Sequence, residues 1–176
     1  MPLSTLTAIS PLDGRYGAKT EKLRSIVSEY GLIFYRLSIE IDWLIALSEN
    51  AQIKEVKKLS PAEQTFLKKI LKSFNEKEAE HIKKIEQKTN HDVKAVEYYL
   101  REKLEKHASL KRLSPFIHFA CTSEDINNLA YGLMLKDIRE KVLIPQLLNV
   151  AEKLKELIAS SADCVMLAKT HGQNAH

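Results

Sequence analysis

Four polar residues stand together between an apolar run and an amphipathic pattern, within residues 116–135. They are Thr122, Ser123, Glu124 and Asp125. Hydroxyl groups and unpaired backbone N–H groups at the start of a helix favour the binding of a carboxylate or a phosphate. Thr122 and Asp125 also have the spacing of a capping box, with Asp in the place of the usual Glu. The pattern therefore predicts an anion-binding corner at a helix N-terminus.

A second polar group has the same arrangement and consists of Thr89, Asn90, His91 and Asp92. Thr89 and Asp92 have the capping-box spacing, so we expect another helix to begin here. A helix N-terminus disfavours protonation of histidine, which leaves His91 a neutral donor and acceptor for a phosphate or a hydroxyl group. The alternative is a capping cluster exposed to water.

Arg15 and Tyr16 lie between Gly14 and Gly17, in a stretch rich in Pro and Gly that predicts a loop. An arginine fork beside a tyrosine hydroxyl suits a phosphate or a carboxylate, and the glycines let the backbone approach another molecule closely. The alternative is an exposed arginine with the tyrosine packed under the loop.

His171 follows the apolar segment Val165–Ala168 and is flanked by Thr170, Gly172 and Gln173. A histidine with an ordinary pKa of about 6.5 can act as a general acid near neutral pH. An exposed loop histidine without a chemical role is the alternative.

His118 and Cys121 do not by themselves form a metal site, since two ligands do not close one. The apolar neighbours of His118 favour a packed interior histidine. No activating base stands next to Cys121, so a small structural residue is favoured over a nucleophile. No glycine-rich phosphate loop of the dinucleotide or nucleoside triphosphate type is found.

The composition favours long helices and an all-α fold. The 176 residues include only five Gly and five Pro, about half the usual share, and no alternating strand pattern stands out. The net charge of +4 is spread over mixed charges, which argues against a nucleic-acid-binding protein. Two cysteines are too few for a disulfide framework, and neither a signal peptide nor an apolar run of about 20 residues is present. We therefore expect a cytoplasmic protein that does not bind a membrane.

Apolar spacing predicts the order of the helices. A long helix is expected over residues 25–50, and Pro61 opens the next one with Ser60 as its N-cap. A charged and exposed helix is expected over residues 75–88, and a linker over residues 110–115.

Near its C-terminal end the sequence predicts a long helix over residues 145–161 with a coiled-coil-like apolar seam. The seam residues are Leu147, Ala151, Leu154 and Ile158. Such a seam needs burial against further helices, so the pattern suggests a truncated bundle. We expect self-association or a loosely ordered C-terminal third.

Taken together, the motifs are more specific than any one of them. They are SPLDGRYG at 10–17, KTNHDVKAVEYYL at 88–100, FIHFACTSEDINNL at 116–129 and KTHGQ at 169–173. In this order and spacing they resemble the bacterial type of the adenylosuccinate lyase family, within the fumarase/aspartase superfamily. The resemblance runs from Leu3 to Gln173 and matches the N-terminal portion of that family.

The resemblance implies an all-α homotetramer built around a central helical bundle, with active sites shared between subunits. Residues 1–112 would form a helical N-terminal domain, and residues 113–176 would begin the bundle. It implies a lyase of purine biosynthesis that eliminates fumarate from adenylosuccinate to give AMP. The same elimination on the succinylo-carboxamide intermediate (SAICAR) gives AICAR. No metal and no organic cofactor is implied.

The resemblance also implies roles for individual residues. The expected contacts with the nucleotide substrate are Arg15, Tyr16, Asn90, His91 and Asp92. Thr122 and Ser123 would hold a carboxylate of the succinyl group. Thr170 belongs to the histidine loop, and His171 matches the general acid that protonates the departing nitrogen.

The elimination also needs a base that removes a proton from carbon, on the other face of the substrate. In this family the base is a serine in a loop with the signature GSSxMPxKxNP, which this sequence does not contain. The ending Asn174-Ala175-His176 also departs from the family's Pro-Ala-Thr. We therefore expect these 176 residues alone to be inactive. The alternatives are another lyase of the superfamily and a helical interaction domain without catalysis.

Overall fold

The computed structural model describes residue 2, residues 4–165 and residues 168–175. The described residues form seven α-helices: α1 Glu21–Val27, α2 Glu29–Glu49, α3 Pro61–Lys72, α4 Glu76–Thr89, α5 Asp92–Glu105, α6 Ser123–Asp137 and α7 Ile144–Ser161. The other elements are a 3-10 helix (Lys111–Phe116), a π-helical segment (Ile138–Leu143) and a hairpin of two short strands, β1 Ala168–Thr170 and β2 Gln173–Ala175. The all-α prediction is confirmed. Of the apolar segment predicted before Lys169, Met166 and Leu167 lie outside the described residues.

Contacts along the chain divide it into two units, Met1–Ile138 and Arg139–His176. The first unit contains α1 to α6, and the second contains α7 and the hairpin. The predicted domain boundary between residues 112 and 113 stays a prediction. Among the described residues, no helix has the combination of length and apolar composition that crossing a membrane requires.

Helix α2 is the centre of the first unit. It packs against α1, α3, α4, α5 and α6. Leu37, Ile41 and Leu44 are fully buried on it, as the apolar spacing predicted. Burying one such side chain contributes about 1.5–3 kcal/mol. Because neighbours surround α2, two charged residues on it, Arg36 and Glu40, are buried as well.

The predicted single helix over residues 25–50 is wrong at its start. The chain leaves the helical conformation at Ser28 (φ −77°, ψ 171°), which ends α1 and caps α2. The Ser28 hydroxyl accepts a hydrogen bond from the Gly31 N–H at 3.3 Å. A Cβ at Gly31 would lie 2.3 Å from the carbonyl oxygen of Ile26, so only glycine lets α1 and α2 approach this closely.

Gly31→Ala should destabilise the chain by about 2–3 kcal/mol, because the added methyl group collides with backbone that cannot move aside. Gly132→Ala is the matched control, since a Cβ at this position in α6 meets no atom within 4 Å. Alanine is the better helix former, so the control should gain about 0.5–1 kcal/mol. Urea denaturation followed by circular dichroism measures both changes. Equal loss of stability in the two variants would contradict the close approach at Gly31.

Between α2 and α6, the predicted starts of α3 and α4 agree with the structure, and residues 110–115 do not. Ser60 caps α3 as predicted, and Glu63 completes a capping box with it. Asn75 caps the charged helix α4. Of residues 110–115, predicted as a linker, Leu110 is instead the N-cap of the 3-10 helix Lys111–Phe116 and the others belong to that helix. The reason is packing, because Leu110 and Leu113 are buried in the core.

The second unit contains α7 and the hairpin. Pro145 lies at the start of α7, directly after the π-helical segment. None of residues 144–161, all of which the structure describes, is buried. The seam residues Leu147 and Leu154 are 67% and 54% exposed. The predicted apolar seam is therefore an exposed surface of this unit.

Candidate functional site

The first part of the candidate site is the junction between α4 and α5. Asn90 ends α4 in the left-handed conformation (φ 50°), which turns the chain before α5 starts. His91 is the N-cap of α5, and its Nδ1 accepts a hydrogen bond from the N–H of Lys94 at 3.2 Å. The helix begins within residues 89–92 as predicted, but the predicted capping box of Thr89 with Asp92 is wrong. Thr89 is the last residue of α4, because the turn at Asn90 leaves the capping position to His91.

The hydrogen bonding of His91 indicates which of its ring nitrogens carries the proton. Because Nδ1 accepts an N–H, a neutral His91 ring carries its hydrogen on Nε2. Nε2 lies 3.5 Å from Oγ of Ser123, the first residue of α6. The starts of α5 and α6 therefore meet at these two side chains, and both side chains are accessible from outside.

The second part of the site is the start of α6, where the predicted pairing of Thr122 with Asp125 is confirmed. The N–H and the hydroxyl group of Thr122 both donate to Asp125 Oδ2, at 2.7 and 2.9 Å. These two hydrogen bonds, the backbone one first, hold the pKa of the Asp125 carboxyl below its usual value. Thr122 thus uses both of its donors within the corner. The Asp125 N–H donates to the Thr122 carbonyl oxygen at 3.1 Å. The Ser123 hydroxyl group and the first two N–H groups of α6 therefore remain for an anion.

Asp92 is held by Arg36, a residue that none of the sequence motifs contains. Arg36 Nη2 lies 2.6 Å from Asp92 Oδ2, and Arg36 Nε donates to Asn127 Oδ1 at 2.9 Å. Partial burial acts to raise the pKa of Asp92, but the Val93 N–H and the Arg36 guanidinium outweigh it, and the pKa lies below its ordinary value. The sequence does hold one indication of this role: Arg36 is a charged residue within the apolar pattern of α2.

A buried Glu40–His118 pair supports the segment that leads into Thr122. The His118 N–H donates to Glu40 Oε2 at 3.1 Å, and His118 Nδ1 lies 2.6 Å from Glu40 Oε1. His118 and Ala120 both have left-handed backbone (φ 61° and 58°), a conformation that is strained for residues with a Cβ. Burial raises the pKa of Glu40, although its contacts with His118 act in the opposite direction. The pair therefore holds a strained turn directly before the anion-binding corner.

The surroundings of His118 and Cys121 agree with the interpretation that neither is reactive. His118 is largely buried, with its side chain 13% exposed, and its ring is engaged by Glu40. Burial, followed by the carboxylates of Glu40 and Asp125, raises the pKa of the Cys121 thiol, which disfavours the nucleophilic thiolate. Within the described ranges, no three His, Cys, Asp or Glu side chains are grouped as metal ligands would be.

Arg15 and Tyr16 lie in the loop before α1, where both are exposed. The guanidinium of Arg15 and the ammonium of Lys19 lie 5.5 and 5.7 Å from the centre of the Tyr16 ring. Gly14 serves the packing of the loop itself, because a Cβ there would lie 2.7 Å from the carbonyl oxygen of Thr5. The loop thus presents two cations and a phenol to solvent.

His171 belongs to the second unit, at the turn of the hairpin. Thr170 pairs with Gln173, so His171 and Gly172 form a two-residue turn. Both have left-handed backbone (φ 50° and 77°), as a type I′ turn requires. The His171 side chain is exposed there. Of the predicted site residues, then, the first unit brings His91, Asp92, Thr122 and Ser123 together, while Arg15 and Tyr16 make their described contacts within their own loop.

Comparison with known proteins shows the family to which the chain belongs. A family model described as Lyase matches residues 14–176. The adenylosuccinate lyase of Vibrio cholerae serotype O1 is 51% identical over 175 residues, and that of Escherichia coli strain K12 is 50% identical over the same length. The adenylosuccinate lyase of Haemophilus influenzae is 49% identical. Each comparison covers 99% of this chain and 38% of the relative, so the chain spans 38% of the length of these relatives. The all-α chain belongs to the lyase family that the model describes, whose helical fold is of the fumarase/aspartase type.

Proposed function

We propose that this chain is part of an adenylosuccinate lyase, which releases fumarate from adenylosuccinate to leave AMP and from SAICAR to leave AICAR. The observation that carries the proposal is the identity of about 50% to adenylosuccinate lyases over 99% of this chain. The meeting of two helix starts at His91 and Ser123, 3.5 Å apart, supports a site for a substrate that carries anionic groups.

In this proposal the nucleotide part of the substrate contacts Arg15, Tyr16, Asn90, His91 and Asp92. Arg15 supplies a planar fork that matches phosphate geometry, and Tyr16 adds a hydroxyl group beside it. His91 supports the assignment because its neutral form carries a hydrogen on Nε2, at the exposed end of the ring. Asp92 contacts the substrate while its carboxylate is paired with Arg36.

A carboxylate of the succinyl group binds at the start of α6. Ser123 supplies its hydroxyl group, and the first N–H groups of the helix point toward the anion at the positive end of the helix dipole. Thr122 contributes as the N-cap that holds this turn in place through Asp125.

His171 is the proposed general acid, with Thr170 in the same loop. In the elimination a base removes a proton from the carbon next to the one that bears nitrogen, and the carbon–nitrogen bond breaks. His171 gives a proton to the departing nitrogen, so the products are fumarate and the amine. The serine that serves as the base in this family has no counterpart in the 176 residues, and the reaction therefore requires residues outside them.

The proposal includes assembly into a homotetramer in the cytoplasm, with residues 1–112 as an N-terminal domain and residues 113–176 as the start of the bundle. The exposed apolar seam of α7 supports assembly, because contiguous apolar surface of this kind marks an interface.

The test compares the complete product of the gene that encodes this sequence with the 176-residue chain alone. The complete product should convert adenylosuccinate to AMP and fumarate in equal amounts, and the shorter chain should release no fumarate. Argininosuccinate and malate serve as control substrates and should not react. A stop codon directly after residue 176, together with a complete product that leaves adenylosuccinate intact, would instead support the non-catalytic interaction domain.

A further inference from the structure

Arg36 is a buried cation with partners on two other helices. Its relative exposure is 4%, and removing a guanidinium from water costs several kcal/mol unless it is well paired. Its fork donates to Asp92 on α5 and to Asn127 on α6, at 2.6 and 2.9 Å. Neither partner is near Arg36 in sequence, so the guanidinium connects three helices.

The two partners of Arg36 lie close in sequence to the residues at which the helix starts meet. Asp92 follows the N-cap His91, and Asn127 lies four residues, or about one helical turn, after Ser123. Arg36 thus ties α5 at Asp92 and α6 at Asn127 to α2, and the 3.5 Å contact between His91 and Ser123 joins the same two helices at their starts.

Arg36 holds one of the two oxygens of the Asp92 carboxylate. Asp92 Oδ1 accepts the Val93 N–H and lies 3.7 Å from His91 Nδ1, while Oδ2 is held by Arg36. If Arg36 is removed, we expect the carboxylate to turn toward Nδ1 and to favour a hydrogen there, because the two groups are already 3.7 Å apart. His91 would then no longer accept the Lys94 N–H, and its Nε2 would lose the hydrogen directed toward Ser123.

We propose that Arg36 is a positioning residue, which fixes the spacing of His91 and Ser123 and keeps His91 in the tautomer with its hydrogen on Nε2. The effect on turnover rests on the proposed function, whereas the effect on the His91 ring does not. The substrate whose binding Arg36 supports is a molecule that carries a phosphate and a carboxylate and spans the two helix starts.

The first test uses the 176-residue chain labelled with ¹⁵N-histidine, at about pH 8, where an ordinary histidine is neutral. The ¹⁵N signals of the His91 ring should show an Nδ1 without hydrogen in the unchanged chain and an Nδ1 that carries hydrogen in Arg36→Gln. Arg36→Lys keeps a positive charge for Asp92, so Nδ1 of His91 should remain without hydrogen. Arg112→Gln is the control, because Arg112 pairs with Glu63 at 3.2 Å in the same unit and contacts neither helix start. An unchanged His91 ring in folded Arg36→Gln would overturn the proposal.

The second test measures kcat/KM for adenylosuccinate in the complete gene product. Arg36→Gln should lower it about 100-fold, and Arg36→Lys about 10-fold, because an ammonium cannot hold both partners and small misplacements are costly. Arg112→Gln should leave it unchanged. If Arg36→Gln does not fold, Arg36→Lys decides: a folded variant with unchanged kcat/KM overturns the positioning role. A complete product without any lyase activity refutes the proposed function alone, since the ring measurement still decides the role of Arg36.

Discussion

Replacing His171 by alanine in the complete gene product should lower kcat for adenylosuccinate by about 10²–10⁴-fold, the usual contribution of a positioned general acid. Binding of AMP, measured by calorimetry, should change little, because the substitution removes the proton donor and leaves the groups of the first unit intact. The position of His171 supports this separation. It occupies an exposed two-residue turn, where loss of the imidazole removes no buried contact.

His81→Ala is the matched control for this experiment. His81 is also an exposed histidine, and its Nε2 lies 2.7 Å from Glu102 at the surface of the first unit. Its loss should leave kcat unchanged. Comparable losses of kcat in both variants would indicate a general effect on the fold, and unchanged turnover in His171→Ala would remove His171 from the role of the acid.

The features that the sequence predicted best depend on near neighbours in the chain. Ser60 before Pro61 and Thr122 three residues before Asp125 are capping signals, and both act as helix starts in the structure. The apolar spacing of α2 likewise predicted its buried faces. Such signals can be read from one sequence because the groups that interact are within about one helical turn of each other.

The features that the sequence did not predict depend on distant contacts or on competition between local signals. Arg36 pairs with residues 56 and 91 positions away, and no spacing rule connects them. The break at Ser28 follows from the close approach of Gly31 to Ile26, which needs the packed helices to be known. At Thr89 a capping signal was present, but the left-handed turn at Asn90 gave the capping position to His91.

Replacing Leu147 and Leu154 together by lysine should convert the 176-residue chain from a self-associating protein to a monomer. Both side chains lie in the exposed seam of α7. Burying one leucine between helices contributes about 1.5–3 kcal/mol, so losing both weakens association by about 3 kcal/mol or more for each chain. That corresponds to a decrease of at least about 100-fold in the association constant. Sedimentation velocity at micromolar concentration measures the change.

The control for this variant removes charges from α7 and leaves the seam intact. Lys153 and Glu156 form an exposed ion pair at 2.7 Å, which is worth about 0–1 kcal/mol, so replacing both by alanine should leave the assembly as it was. If the unchanged chain sedimented as a compact monomer with α7 protected from hydrogen exchange, the prediction would be wrong, since the seam would then be covered within one chain. Only association through apolar contacts predicts that the lysine variant dissociates while the alanine variant does not. If attraction between surface charges held the assembly together, the alanine variant would dissociate and the lysine variant would not.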